Sequence, residues 1–181
     1  MSTETLTDAD QKMTRAVEAM ERDFQAVRTG RASTALVERI LVDYYGSPTP
    51  LQQLASFTAP EARIILISPY DFGAMANVEK AIRDSDLGVN PANDGKVLRC
   101  VFPELTEDRR KEYIKLARTK AEDGRVAIRN IRRHAKQTLD KMEKDGDAGK
   151  DEVMSAEKRL DGLTKKHVDA VDDLLKHKEA E

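Results

Sequence analysis

The sequence predicts an α+β protein: an elongated antiparallel three-helix bundle with a small β/α/β domain inserted between its first and second helices. Two observations carry that expectation. Residues 6–27, 107–144 and 152–177 each repeat apolar side chains every three or four positions, the spacing of one helix face. Residues 37–102 instead run in short alternating stretches broken by proline and glycine, as strands and turns do. Each helical seam is too narrow to stand alone in water, so the three helices should pack together.

The first helix is expected over 6–27, with Leu6, Ala9, Met13, Val17, Met20, Phe24 and Val27 on one face and Thr7 or Asp8 as cap. It should stop at RTGR, where Gly30 allows backbone angles that a helix does not use. VERILVDYYG alternates, with Ile40, Val42 and Tyr44 on one side, and the prolines of GSPTP cannot join a central ladder. LQQLASFT and RIILIS read as short strands. Asp71 should cap a helix in FGAMANVEKAIRDS, and NDG should turn the chain into the strand KVLRCVF.

After Pro103 the helical period returns. Thr106 is the expected cap of a second helix over 107–144, with Glu107 and Asp108 favourably placed in its first turn. Its seam runs Ile114, Ala117, Ala121, Gly124, Ile128, Ile131, Ala135, Thr138 and Met142, and its length is roughly 57 Å. KDGDAG breaks it before the third helix, whose seam is Val153, Ala156, Leu160, Leu163, His167, Ala170 and Leu174. The bundle is therefore assigned to 1–29 and 106–181 and the inserted domain to 30–105. Two strands connect them, so a hinge is expected at 29–32 and 103–105, involving Gly30, Arg31, Pro103 and Glu104.

Composition narrows the function. The chain is 35% charged with 4% aromatics and no Trp, which suits a helical, salt-bridged protein better than a β-sandwich. Cys100 is the only cysteine, which excludes a disulfide framework, and it sits in the apolar run VLRCVF as a small hydrophobe. The opening MSTETLTDAD is polar and acidic, unlike a secretory signal, and the apolar run Ile64–Ile67 is far too short to cross a bilayer. A soluble cytoplasmic protein is expected, without membrane contact. His134, His167 and His177 lack metal-ligand spacing, and no Ser-His-Asp set, HExxH or glycine-rich phosphate cradle appears. No catalytic residue, metal or cofactor is expected.

The charge distribution points elsewhere. From Lys111 to Lys136 nine Lys/Arg face three Asp/Glu, whereas from Asp140 to Glu181 nine face thirteen. With Ile128 at 0° on a helical wheel, Arg132, Arg125, Arg129 and Arg133 fall near about 40°, 60°, 100° and 140°. Glu122 is the one acid among them, and i+4 acidic partners are nearly absent. A solvated face pairing with acids on a neighbouring helix would be the plain explanation. The sorting favours instead a row of unpaired guanidinium groups, roughly 20 to 40 Å long, facing a phosphate backbone. Arg28 and Arg31 stand near its end, Arg28 at a helix terminus and Arg31 beyond the glycine. Without an aromatic platform for base stacking, folded RNA suits the face better than a single strand. The residues alone also leave open a subunit anti-association factor, or an adaptor with an acidic protein partner.

RTGRAS (28–33), YYGSPTPLQQLAS (44–56), VEKAIRDSDLGVNP (78–91), PELTEDRRK (103–111) and RVAIRNIRR (125–133) resemble, in order, the blocks of the bacterial ribosome recycling factor family. The resemblance implies a hinged L of bundle and inserted domain, acting as a monomer. It implies that the factor, with elongation factor G and GTP hydrolysis, splits the post-termination ribosome into subunits. The bundle would lie across large-subunit ribosomal RNA at the intersubunit face, touched by Arg129, Arg132 and Arg133, with the inserted domain facing elongation factor G. His134 departs from the family pattern, where an acid is expected, and the ending KHKEAE lacks the short apolar tail of some members.

Overall fold

The computed structural model describes residues 2–181 and has an α+β fold. In chain order the elements are α1 (Ser2–Gln25), the single turn α2 (Ala35–Glu38), β1 (Leu41–Tyr44), β2 (Ser47–Pro50), β3 (Ala55–Glu61), β4 (Ile64–Pro69), α3 (Met75–Arg83), β5 (Ala92–Asn93), β6 (Leu98–Val101), α4 (Glu107–Lys144) and α5 (Lys150–Ala180). They form two compact units. One comprises the described residues up to Phe24 with Ile114–Ala180, the other Gln25–Tyr113 with Glu181.

The first unit is helical. Its core takes Met13, Val17 and Met20 from α1, Ala117, Ala121 and Ile128 from α4, and Val153, Leu160 and Val171 from α5. The α4 contribution is mostly small, so backbones approach closely there. A Cβ added at Gly124 would lie 3.2 Å from Met20 Sδ and 3.6 Å from Met20 Cβ. Thr106 caps α4 as its sequence implies, its hydroxyl accepting the Arg109 amide at 3.2 Å. Gly146, at φ +78°, ends the helix, with the Gly146 amide on the Glu143 carbonyl and the Asp147 amide on that of Met142.

Three details of the helices differ from expectation. α1 starts at Ser2 instead of near Leu6, because the buried Ser2 hydroxyl donates to Glu152 on α5 at 2.7 Å and holds the first turn down. Thr7 is consequently inside the helix, bonding back to the Thr3 carbonyl at 3.0 Å. Leu139, not Thr138, continues the α4 seam, and Val171, not Ala170, that of α5. In both cases the larger apolar side chain takes the interior and the smaller or polar one is left at the edge.

The second unit has a four-stranded antiparallel sheet in the order β3-β4-β6-β5 and a separate two-stranded ribbon of β1 and β2. Ile65 pairs with Cys100 and Ile67 with Leu98, and all four are fully buried, facing Val78 and Ile82 of α3. Pro48 and Pro50 sit in β2, whose only ladder is with β1, so their missing amides interrupt no central pairing. Val37 and Glu38, expected to open a strand, close the helical turn Ala35–Glu38 instead, Leu51–Gln53 is a 3-10 turn, and β5 was not foreseen. Asp71 caps the turn before α3 through the Gly73 amide at 2.8 Å and accepts the Tyr44 and Tyr45 hydroxyls at 3.1 and 3.0 Å. The Gly73 amide and then the two hydroxyls hold its carboxyl below the usual range. Among the described residues no helix is long and apolar enough to cross a membrane.

Two expectations follow from this packing. Ile128→Ala, at a fully buried α4 position, should destabilise the bundle by about 2–5 kcal/mol in denaturant titration. Val126→Ala, at a site 45% exposed, should stay within about 0.5 kcal/mol. Cys100 is buried, and desolvation pushes its thiol up to about 11 from 9.0. At pH 8 it should hold about a hundredth of an ordinary thiol's thiolate, so a thiol reagent should react slowly with native protein and at once in denaturant.

Candidate nucleic-acid interface

All the basic groups of interest between 118 and 136 lie on α4, whose 3.6-residue period turns the sequence spacing into rows. The row nearest the apolar band is not the line of free cations expected from sequence. Arg118 Nε donates to Glu179 at 2.6 Å. Arg125 donates through Nε to Asp172 at 2.8 Å and through Nη1 to Glu122 at 3.2 Å. Arg132 places Nε and Nη2 at 2.8 and 2.7 Å from a single oxygen, Oδ1 of Asp161. Glu179, Asp172 and Asp161 all belong to α5, so the acidic third helix supplies the partners that α4 itself lacks. The physical reason is geometric: at about 40° to 80° on the wheel these side chains sit at the rim of the seam, within reach of α5.

The outer row is different. Arg133 has Asn130 as its bonded partner, at 2.8 Å, and no carboxylate within ion-pair distance among the described residues. Arg129 reaches Glu122 only at 3.4 Å and remains 57% exposed. Arg125 is the most enclosed of the set, its side chain 19% exposed; burial alone would lower its pKa, but the hydrogen bonds to Asp172 and Glu122 carry it upward. The interface is therefore a pair of rows, one tethered to α5 and one displayed.

Arg28 and Arg31 separate completely. Arg31 is exposed, and the loop around it is shaped by Thr29, whose hydroxyl donates to the Arg31 carbonyl at 2.8 Å. Arg28 is buried instead of displayed. Its Nη2 donates to the Pro103 carbonyl at 2.9 Å and its guanidinium carbon lies 4.8 Å from the Phe102 ring centroid. Burial lowers its pKa, with Tyr113 opposing and Arg63 adding to the effect. Arg28 thus ties residue 28 to residues 102 and 103, two stretches of the second unit that are distant in sequence. Gly30 is exposed and outside the positive-φ region, so the helix ends at Gln25 without using glycine's freedom. Pro103 and Glu104 are exposed.

The histidines offer no site. His167 is buried in the bundle with Nε2 2.7 Å from Asp10 Oδ1, His177 is exposed, and His134 is exposed on a groove shared with Glu4, Asp8 and Lys12. Among the described residues no cluster of His, Cys, Asp and Glu is arranged to hold a metal. The residues missed from sequence are the α5 carboxylates. One signal pointed to them: Asp161 and Asp172 each follow a core residue of α5, Leu160 and Val171, which puts them at the seam's edge.

Comparison with known proteins finds relatives over the length of the chain. The profile of the family described as ribosome recycling factor matches residues 20–181. A ribosome-recycling factor of a Nocardioides species is 69% identical over 181 residues, covering 100% of this chain and 98% of its own. That of Kineococcus radiotolerans is 63% identical with the same coverage. A solution structure of the ribosome recycling factor superposes with a TM-score of 0.75 at 40% identity, over 98% of this chain and 95% of that one. A second structure has a TM-score of 0.70 at 41% identity, over 100% and 98%; it shows the T. thermophilus factor and E. coli elongation factor G as models bound to the E. coli post-termination complex. The chain, a helical bundle with an arginine-lined second long helix and an inserted antiparallel sheet, belongs to the ribosome recycling factor family.

Proposed function

We infer that this chain recycles ribosomes by docking its bundle on large-subunit ribosomal RNA at the intersubunit face, while elongation factor G acts on the inserted domain. The observation that carries the reading is the displayed row of α4, Arg129 and Arg133, beside the rim residue Arg132. Guanidinium forks bind phosphate bidentately, and a row of them along one helix gives an electrostatic grip that needs no base contact. Arg31 adds a cation on the loop after α1, and Arg125 serves chiefly to join α4 to α5. The protein does no covalent chemistry; GTP hydrolysis on the partner supplies the work. It acts in the cytoplasm as a monomer. The bundle, 1–29 with 106–181, is the lever. The inserted domain, 30–105, is the part that elongation factor G pushes, about a hinge at 29–32 and 103–105 that includes Gly30, Arg31, Pro103 and Glu104.

Light scattering of purified post-termination ribosomes should fall on addition of the protein, elongation factor G and GTP. Splitting without elongation factor G would point to an anti-association factor instead. Arg132→Ala and Arg133→Ala should each weaken ribosome binding by about tenfold, and Arg133→Ala, at a site with no carboxylate on it among the described residues, should also flatten the plot of log affinity against log salt by about one. Affinity unchanged across salt would remove the arginine row from the mechanism.

Arg28→Ala tests the hinge separately. The buried guanidinium makes no outward contact, so affinity and its salt slope should hold, while splitting with elongation factor G slows because residues 28 and 103 are no longer fastened. A loss of affinity equal to that of Arg132→Ala would place Arg28 in the docking face after all.

A further inference from the structure

We propose that Asp161 is a built-in competitor for Arg132: its carboxylate occupies the site that an RNA phosphate needs, and so sets how tightly the factor holds the ribosome and how readily it leaves. The proposal rests on the reading that Arg132 meets RNA phosphate, and it adds a residue that touches no RNA.

The geometry of this pair is the one by which Arg125 also meets Asp172, with Nε and Nη2 on a single carboxylate oxygen. Nε and Nη2 of Arg132 both point at Oδ1 of Asp161, at 2.8 and 2.7 Å, so the carboxylate takes the guanidinium edge that lies along Nε. A phosphate must either displace it or share the guanidinium from the Nη1 side. In the first case an ion pair is exchanged for another. In the second, two anions stand on one cation, separated by less than the roughly 8 Å screening length of physiological salt. Both routes subtract from the affinity.

The pair is also poised for exchange in a way its neighbour is not. Arg132 is 39% exposed and Asp161 59%, so solvent and ligand reach both partners. An ion pair of that exposure is weak and labile. Arg125 is held by two carboxylates with a side chain only 19% exposed, and giving up either one leaves a half-enclosed charge short of partners. Among the described residues Arg129 and Arg133 have no α5 carboxylate on them. Arg132 and Arg118 are therefore the members of the face that are both accessible and already occupied by an α5 carboxylate, and of the two it is Arg132 that lies between the displayed Arg129 and Arg133 in the chain. For a factor that must leave after each round, such an internal anion shortens residence without removing the contact.

The test is binding of the full-length protein to purified bacterial large ribosomal subunits at several salt concentrations, with dissociation followed directly. Asp161→Asn keeps the shape and removes the charge. It should bind about two- to fivefold tighter, mostly through slower dissociation. Its salt slope should steepen by about one, because no carboxylate is left to take up a cation when Arg132 turns to phosphate. Asp161→Glu should behave like the unaltered protein, and Asp173→Asn, which removes the same charge from another exposed α5 position, should leave affinity and slope unchanged. Helicity and melting confirm that each variant is folded. If Asp161→Asn binds as the unaltered protein does, or more weakly, or if Asp173→Asn tightens binding equally, the competitor role is overturned. If Arg132→Ala itself leaves binding unchanged, it is the docking reading that fails, and the two failures are told apart.

Discussion

One helix has to satisfy two demands that compete for its circumference. α4 must bury a face against α1 and α5, and it must carry a dense positive charge a few tens of degrees away. The solution is a narrow seam made mainly of Ala117, Ala121, Gly124 and Ala135, with Ile128 and Leu139 as its large residues. Small residues let the helices approach closely, as Gly124 does against Met20, so little of the helix surface is spent on burial. The remaining arc is then free for arginine. Were the seam built of leucines, its width would push the charged rows apart and turn them away from α5.

The closeness of that arrangement explains the ion pairs at the rim. Arginines beside a seam inevitably lie near the helix packed across it, and α5 is the acidic one. Partial neutralisation along the rim also limits the self-repulsion of a basic helix, which would otherwise oppose folding. Charge density and bundle stability are thus adjusted by the same few carboxylates.

Much of this was legible in the residues. The limits 107–144 of α4 could be read because a long period, a Thr106 cap and a Gly146 stop all agree. The short pieces could not: α2, the turn at Leu51–Gln53 and the two-residue β5 are shorter than any periodic signal and are set by contacts with the sheet. The arginine face was legible as a face, but not its pairing. Spacing along one helix reveals i+4 partners and is blind to an acid 29 or 47 positions away on another, as Asp161 and Asp172 are. Arg28 was misplaced for a related reason. Its position just before Thr29 and Gly30 suggested a solvent-facing helix end, whereas Phe102 and the carbonyl of Pro103, the latter 75 residues on, enclose it.

The corner at Tyr44 and Tyr45 carries a further consequence. Tyr45 is 79% exposed, yet its backbone is turned to φ 51° beside Gly46 and its hydroxyl is anchored on Asp71, which also holds Tyr44 and the start of the turn before α3. The two rings meet edge to face with centroids 4.6 Å apart. An exposed tyrosine normally samples several rotamers, and stilling it on contact is an entropic loss. Here that loss has been taken during folding, leaving a stiff aromatic plate on the surface of the inserted unit whose orientation is inherited from a single carboxylate.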